Sequence, residues 1–294
     1  MPDRTRLSAL FVLALIAGLA SIAQKVPSAV VADPPPDKEF PPSLVGLTVP
    51  GHGVEMDATM YLAGGKGAHG TVLLLHGLPG YEQNVDLAQA IRRAGWNVLI
   101  FHYRGSWGTA GVFSQSSAIE DAEDALAFLR DPANAAKYRI DRQKIVVIGH
   151  SFGGFLAGYE GCHDPGIPAI GMIAAVNLGT INTDPQQREI RIKRWEGQMH
   201  PLHGTTAREL FAEAEQHAKN WDYVQCADAL HGRPILLVEA DDQNRADAQA
   251  LAAAMRQKGS PNLDEKSVAT DHSFSDSRIA LQTIVVEWLQ KLRF

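Results

Sequence analysis

The chain has 294 residues, 45% of them hydrophobic and 20% charged, with a net charge of −6. This composition excludes a disordered polypeptide and supplies apolar mass for a sizeable core, in one large α/β domain or two small ones. The negative charge and the lack of a Lys/Arg cluster argue against a nucleic-acid partner.

Arg4 and Arg6 precede an apolar run over residues 7–20 that ends in Ser21-Ile22-Ala23. A basic start, a short apolar stretch and small residues at its end predict a secretory signal peptide over 1–23, cleaved after Ala23. The run is short for a membrane span, so export to the periplasm or beyond is expected, without stable membrane association after cleavage. An uncleaved anchor is the alternative. Residues 24–43 carry Pro27, Pro34, Pro35, Pro36, Pro41 and Pro42. They predict a stiff extended leader rather than a packed element.

The rest, 44–294, alternates strand and helix signals. Apolar/polar alternation over 44–49 and 56–62 predicts an antiparallel hairpin. Continuous apolar runs over 71–75, 98–101, 144–148, 169–176 and 234–238 predict buried strands, with a short one near 266–268. Helices are predicted over 84–94, with Asn84 as N-cap, and over 117–129, closed by Asp131-Pro132. Others follow over 151–159, 246–257 and 275–292. Strands that are apolar throughout, alternating with helices, imply an α/β fold with a mostly parallel sheet of about eight strands, covered on both faces. Residues 180–232 break the rhythm. They are polar, contain Trp195 and Trp221, predict one helix over 206–219, and lie between two strands, so they are placed as a cap insertion over one sheet end.

The strongest motif is Gly149-His150-Ser151-Phe152-Gly153, directly after the apolar run Ile145-Val146-Val147-Ile148. A buried strand entering a tight turn, with a serine between two glycines, has the pattern of a nucleophile elbow. The turn brings strand and helix backbones so close that side chains two residues either side of the serine would clash. Gly-x-Ser-x-Gly alone is a weak signal; the strand before it and the helical run after it strengthen it. Ser151 is therefore the candidate nucleophile, and a serine hydroxyl needs a neighbouring base to attack a carbonyl at neutral pH.

Three further segments accompany it: His76-Gly77-Leu78-Pro79-Gly80, Tyr103-Arg104-Gly105-Ser106-Trp107-Gly108 and Thr270-Asp271-His272-Ser273-Phe274. In this order and spacing, the four segments resemble the α/β-hydrolase fold, and within it the prolyl oligopeptidase and dienelactone-hydrolase-like group. The resemblance covers roughly residues 44–294. It implies the chain order nucleophile, acid, histidine, which assigns His272 as the base. The acid is then expected in Glu239-Ala240-Asp241-Asp242, with Asp242 preferred and Asp241 as the alternative; the one left over would cap the loop. The backbone N–H groups of Leu78 and Phe152 are implied as the oxyanion hole. His76 and His150 are assigned structural or pocket-lining roles, and Arg104 an ion pair with Glu120, Asp121 or Asp124. One departure is that nothing here is long enough to form the propeller of the true oligopeptidases, which favours a compact hydrolase.

The expected function is an exported serine hydrolase that cleaves carboxylic esters through an acyl-enzyme. An exopeptidase of the prolyl oligopeptidase type and a non-catalytic binding protein on this fold stay open as alternatives. The partner is then a small ester or short peptide. No cofactor or metal is expected; His200 and His203 flank Pro201 in a polar loop and make a poor zinc pair. In an exported chain the even count of two cysteines, Cys162 and Cys226, permits a disulfide. Sequence spacing does not decide between that and two buried thiols.

Overall fold

Alternate residues of the central strands face opposite sides of one sheet, and both sides are apolar. In β3 (His69–Leu75), Val72 and Leu74 point to one side and Leu73 and Leu75 to the other. A strand buried on both faces must read as a continuous apolar run, which is why these strands were visible in the sequence. A computed structural model describes residues 26–181 and 185–294; the expected signal peptide lies outside the described residues.

The sheet has eight strands in the order β1-β2-β4-β3-β5-β6-β7-β8. The hairpin β1 (Ser43–Gly51) and β2 (Val54–Leu62) is antiparallel and joins β4 (Asn97–Phe101) antiparallel. From β4 onward, β3, β5 (Ile140–His150), β6 (Ile170–Ile173), β7 (Ile235–Glu239) and β8 (Leu263–Ser267) pair in parallel. On one face, α2 (Val85–Arg93) and α10 (Arg278–Lys291) pack Leu87, Ile91, Leu281 and Val285 against Val72, Val146 and Leu236. On the other, α3 (Gln115–Arg130), α5 (Phe152–His163) and α9 (Arg245–Gln257) bring Leu126, Phe155 and Leu251 against Leu73, Val147 and Leu237.

Several details differ from the sequence expectation. The leader is not extended throughout. Residues 28–31 form a turn of helix, α1 (Ser28–Val31), whose Ala29 and Val30 are buried against Ala90 and Val286. The Arg93 guanidinium donates to the Ala29 carbonyl at 2.6 Å. Asn84 does not cap α2 with its side chain; its Oδ1 instead accepts from Arg278 at 3.0 Å. Asp131-Pro132 ends α3 and also starts α4 (Pro132–Tyr138), because the Asp131 carboxylate accepts from the Ala133 and Asn134 N–H groups. Proline suits that first helical position, where its missing N–H costs nothing.

Between β6 and β7 the chain makes two helices, α6 (Pro185–Glu196) and α7 (Ala207–His217). It then makes a 3-10 turn (Tyr223–Cys226) and a short α8 (Ala227–Leu230). Only α7 was predicted. Among the residues of α6 only Ile192 is buried, so the helix carries too little apolar periodicity to be read. The inserted segment is sewn to the loop after β4 through its main chain. Trp107 N–H donates to Pro201 at 3.0 Å, His203 N–H to Gly105 at 2.8 Å, and Phe113 N–H to His203 at 2.9 Å. Glu213 of α7 accepts from the Gln115 and Ser116 N–H groups at the start of α3. At its far end Cys226 is disulfide-bonded to Cys162 at the end of α5, with the Cα atoms 5.3 Å apart.

Candidate active site

β5 ends at His150 and α5 begins at Phe152, so Ser151 alone turns the chain. Its φ of 58° and ψ of −116° lie outside the regions ordinary residues prefer. The strain is held from both sides. Ser151 N–H donates to Ile173 on β6 at 2.9 Å, and its carbonyl accepts from Val176 at 3.1 Å. The flanking glycines are required by close approach: a Cβ on Gly149 would collide with the Gly153 carbonyl, and one on Gly153 with the Leu75 carbonyl.

The serine hydroxyl faces the loop after β8. Ser151 Oγ lies 2.9 Å from His272 Nε2, and His272 Nδ1 lies 2.6 Å from Asp242 Oδ2. The Asp242 side chain is only 6% exposed, and its other oxygen accepts from the Asn244 N–H at 2.8 Å. With the carboxylate as acceptor, the imidazole proton sits on Nδ1, and Nε2 is free to accept from the serine. This is the donor–acceptor order a general base needs. Asp241 is turned away: it is half exposed, ion-paired with Arg245, and its N–H holds the Thr270 carbonyl at 3.0 Å.

The loop after β3 packs directly on the serine. A Cβ on Gly77 would lie 2.9 Å from the Ser151 Cβ. The next residue is Leu78, followed across a cis bond by Pro79. Neither the Leu78 nor the Phe152 N–H meets an acceptor among the described residues. Phe152 opens the twelve-residue helix α5, whose N-terminal dipole favours negative charge at that point. A serine hydroxyl with a base on it can add to a carbonyl carbon.

The surrounding polar side chains are buried or tied to their neighbours. His76 and His150 are buried, and burial pushes both imidazoles down to about 4. His76 Nδ1 donates to the Gly77 carbonyl at 2.8 Å, and the Tyr103 hydroxyl to the His76 carbonyl at 2.8 Å. Arg104 is ion-paired with Glu120 and with the fully buried Asp121, as the sequence suggested. Trp107 Nε1 donates to the Pro79 carbonyl at 2.7 Å, and its ring meets Tyr81 edge-on. Trp221 is buried between Phe155 and His217, while Trp195 packs on the small cluster around Ile192 and Phe211.

An eight-stranded sheet of this order, with a strained serine between its fifth strand and the next helix, defines an α/β hydrolase. The chain belongs to the alpha/beta hydrolase family, whose profile matches residues 72–278. Among solved structures it is similar to an esterase of the archaeon Pyrobaculum calidifontis, at 21% identity and a TM-score of 0.61 over 86% of this chain and 87% of that one. It is likewise similar to the Pyrococcus furiosus esterase Pf2001, at 17% identity and a TM-score of 0.62 over 88% and 97%. A third is brefeldin A esterase, a bacterial homologue of human hormone-sensitive lipase, at 19% identity and a TM-score of 0.62 over 98% and 87%. No curated protein sequence matches the chain.

Proposed function

We propose that this protein is a serine hydrolase that cleaves carboxylic esters through an acyl-enzyme. The observation that carries this reading is the unbroken hydrogen-bond relay from Asp242 through His272 to Ser151. Ser151 Oγ adds to the ester carbonyl carbon as His272 Nε2 takes its proton. Asp242 stabilises the resulting imidazolium, and the Leu78 and Phe152 N–H groups hold the oxyanion. His272 then returns the proton to the leaving alcohol as the C–O bond breaks. Water, deprotonated by the same imidazole, adds to the acyl carbon, and the imidazolium gives that proton to Ser151 Oγ as the acyl–oxygen bond breaks and the acid leaves. Ester rather than amide substrates are favoured because the similar structures include three esterases. A small ester is the proposed partner.

The test is a panel of short-chain p-nitrophenyl esters against aminoacyl anilides. Turnover of esters that disappears in Ser151→Ala is expected. Anilide cleavage without ester cleavage indicates the exopeptidase, and a folded protein inert to both indicates a binding protein.

We further propose that the protein is exported, with 1–23 as its signal and 180–232 acting as a cap on a domain spanning 44–294. The Cys162–Cys226 disulfide supports export, since such bonds persist in oxidising compartments. N-terminal sequencing of the mature protein should start at Gln24; an intact Met1 contradicts cleavage.

A further inference from the structure

His150 precedes the nucleophile in the chain, and its ring is sequestered from solvent. Its Nε2 lies 2.8 Å from the main-chain carbonyl of His272. A carbonyl only accepts, so the hydrogen must sit on Nε2. The other ring nitrogen, Nδ1, is buried without a hydrogen-bond partner among the described residues. That suits a bare lone pair on a neutral ring far better than an orphaned N–H. The ring centroid is 4.9 Å from that of His272.

These contacts close a short circuit. His272 reaches Ser151 through its side chain at 2.9 Å, and reaches the residue before Ser151 through its main chain at 2.8 Å. The rest of its loop is held by its own bonds, by Asp241, whose N–H donates to the Thr270 carbonyl, and by Arg278. Phe274 N–H donates to the Asp271 carbonyl, Ser275 N–H to the Asp271 carboxylate, and Ser277 N–H to the Phe274 carbonyl. Arg278, anchored on Asp86 of α2, holds the Ser273 carbonyl at 3.0 Å. His150 thus ties the loop of the base directly to the strand that carries the nucleophile.

Resting on the hydrolase reading above, we propose that His150 is a positioning residue. Its Nε2–H grips the His272 carbonyl and fixes the base relative to Ser151 without touching substrate. A misplacement of the order of 1 Å between base and nucleophile costs about 100-fold in rate. The effect should fall on kcat, because the tether orders the reacting groups and makes no substrate contact.

The test compares His150→Leu, which fills the space without a donor, with His150→Gln, which returns an N–H at similar reach. The expected result is kcat lower by about 10- to 100-fold in His150→Leu with KM nearly unchanged, and most of that loss restored in His150→Gln. An active wild type with unchanged kcat in His150→Leu, or equal losses in both variants, overturns the inference alone. A folded wild type inert to esters and to an active-site phosphonate removes the hydrolase reading and this role together. Should His150→Leu fail to fold, long-range 15N–1H correlation of histidine-labelled wild type decides. The Nε2–H tautomer at His150 is expected, and an Nδ1–H tautomer contradicts the tether.

Discussion

Gly153 of α5 lies against the Leu75 carbonyl of β3 so closely that a methyl group on Gly153 would overlap that oxygen. The contact sets how far Ser151 stands above the sheet, because the helix can descend onto β3 only where no side chain intervenes. Gly153→Ala pits a Cβ against backbone that cannot rotate away, so a loss of about 3 kcal/mol is expected. A thermal melt should show a midpoint lower by several degrees. An unchanged midpoint contradicts the packing account.

Asp242 and Asp241 are neighbours with opposite environments, one against the His272 ring and the other paired with Arg245. Asp242→Asn should leave the fold intact and lower kcat by about 10,000-fold, since the amide favours the wrong imidazole tautomer. Asp241→Asn should change kcat by less than about threefold. Steady-state kinetics on one ester decide the matter, and a large kcat loss in Asp241→Asn reverses the assignment.

The Cys162–Cys226 bond joins residues 64 apart in sequence. Closing a loop of that length removes chain entropy from the unfolded state, a stabilisation of about 4 kcal/mol in the loop-entropy account. The double variant Cys162→Ser with Cys226→Ser should therefore unfold at markedly lower denaturant, read by tryptophan fluorescence. Coincident unfolding curves rule out a stabilising crosslink.

Glu160 sits on α5, 2% exposed, with one carboxyl oxygen lacking a partner among the described residues. Burial, then Glu123 and Asp164, push its carboxyl up from 4.5 to about 8. Between these values the unfolded chain binds fewer protons than the native one, so this group lowers stability as pH rises from its unfolded to its folded pKa. Glu160→Gln, neutral throughout, should raise the melting midpoint at about pH 8 and change it little at about pH 5. A midpoint difference independent of pH contradicts the buried-acid account.

Much of the fold was legible because physical constraint and sequence pattern coincide. Strands covered on both faces must be apolar throughout, and the glycines around Ser151 mark a backbone crossing that tolerates nothing larger. Ser151, His272 and Asp242, chosen from the elbow and from family order, are the residues the structure brings together. What stayed hidden depends on distant partners. Helix α6 buries only Ile192, and α1 is held by residues far along the chain, with Ala29 and Val30 packed on Ala90 and Val286 and Arg93 bonded to their carbonyls. The His150 contact spans 122 residues, and the cysteine pairing 64. No local pattern encodes either separation.

The central claim is that Ser151 is an activated nucleophile. Treating the folded protein with a fluorophosphonate and mapping the product by peptide mass spectrometry tests this directly. The account predicts a single adduct on Ser151, formed in step with loss of esterase activity and absent in His272→Ala. Inactivation with the adduct on another residue, or no adduct at Ser151 in folded active protein, would contradict it.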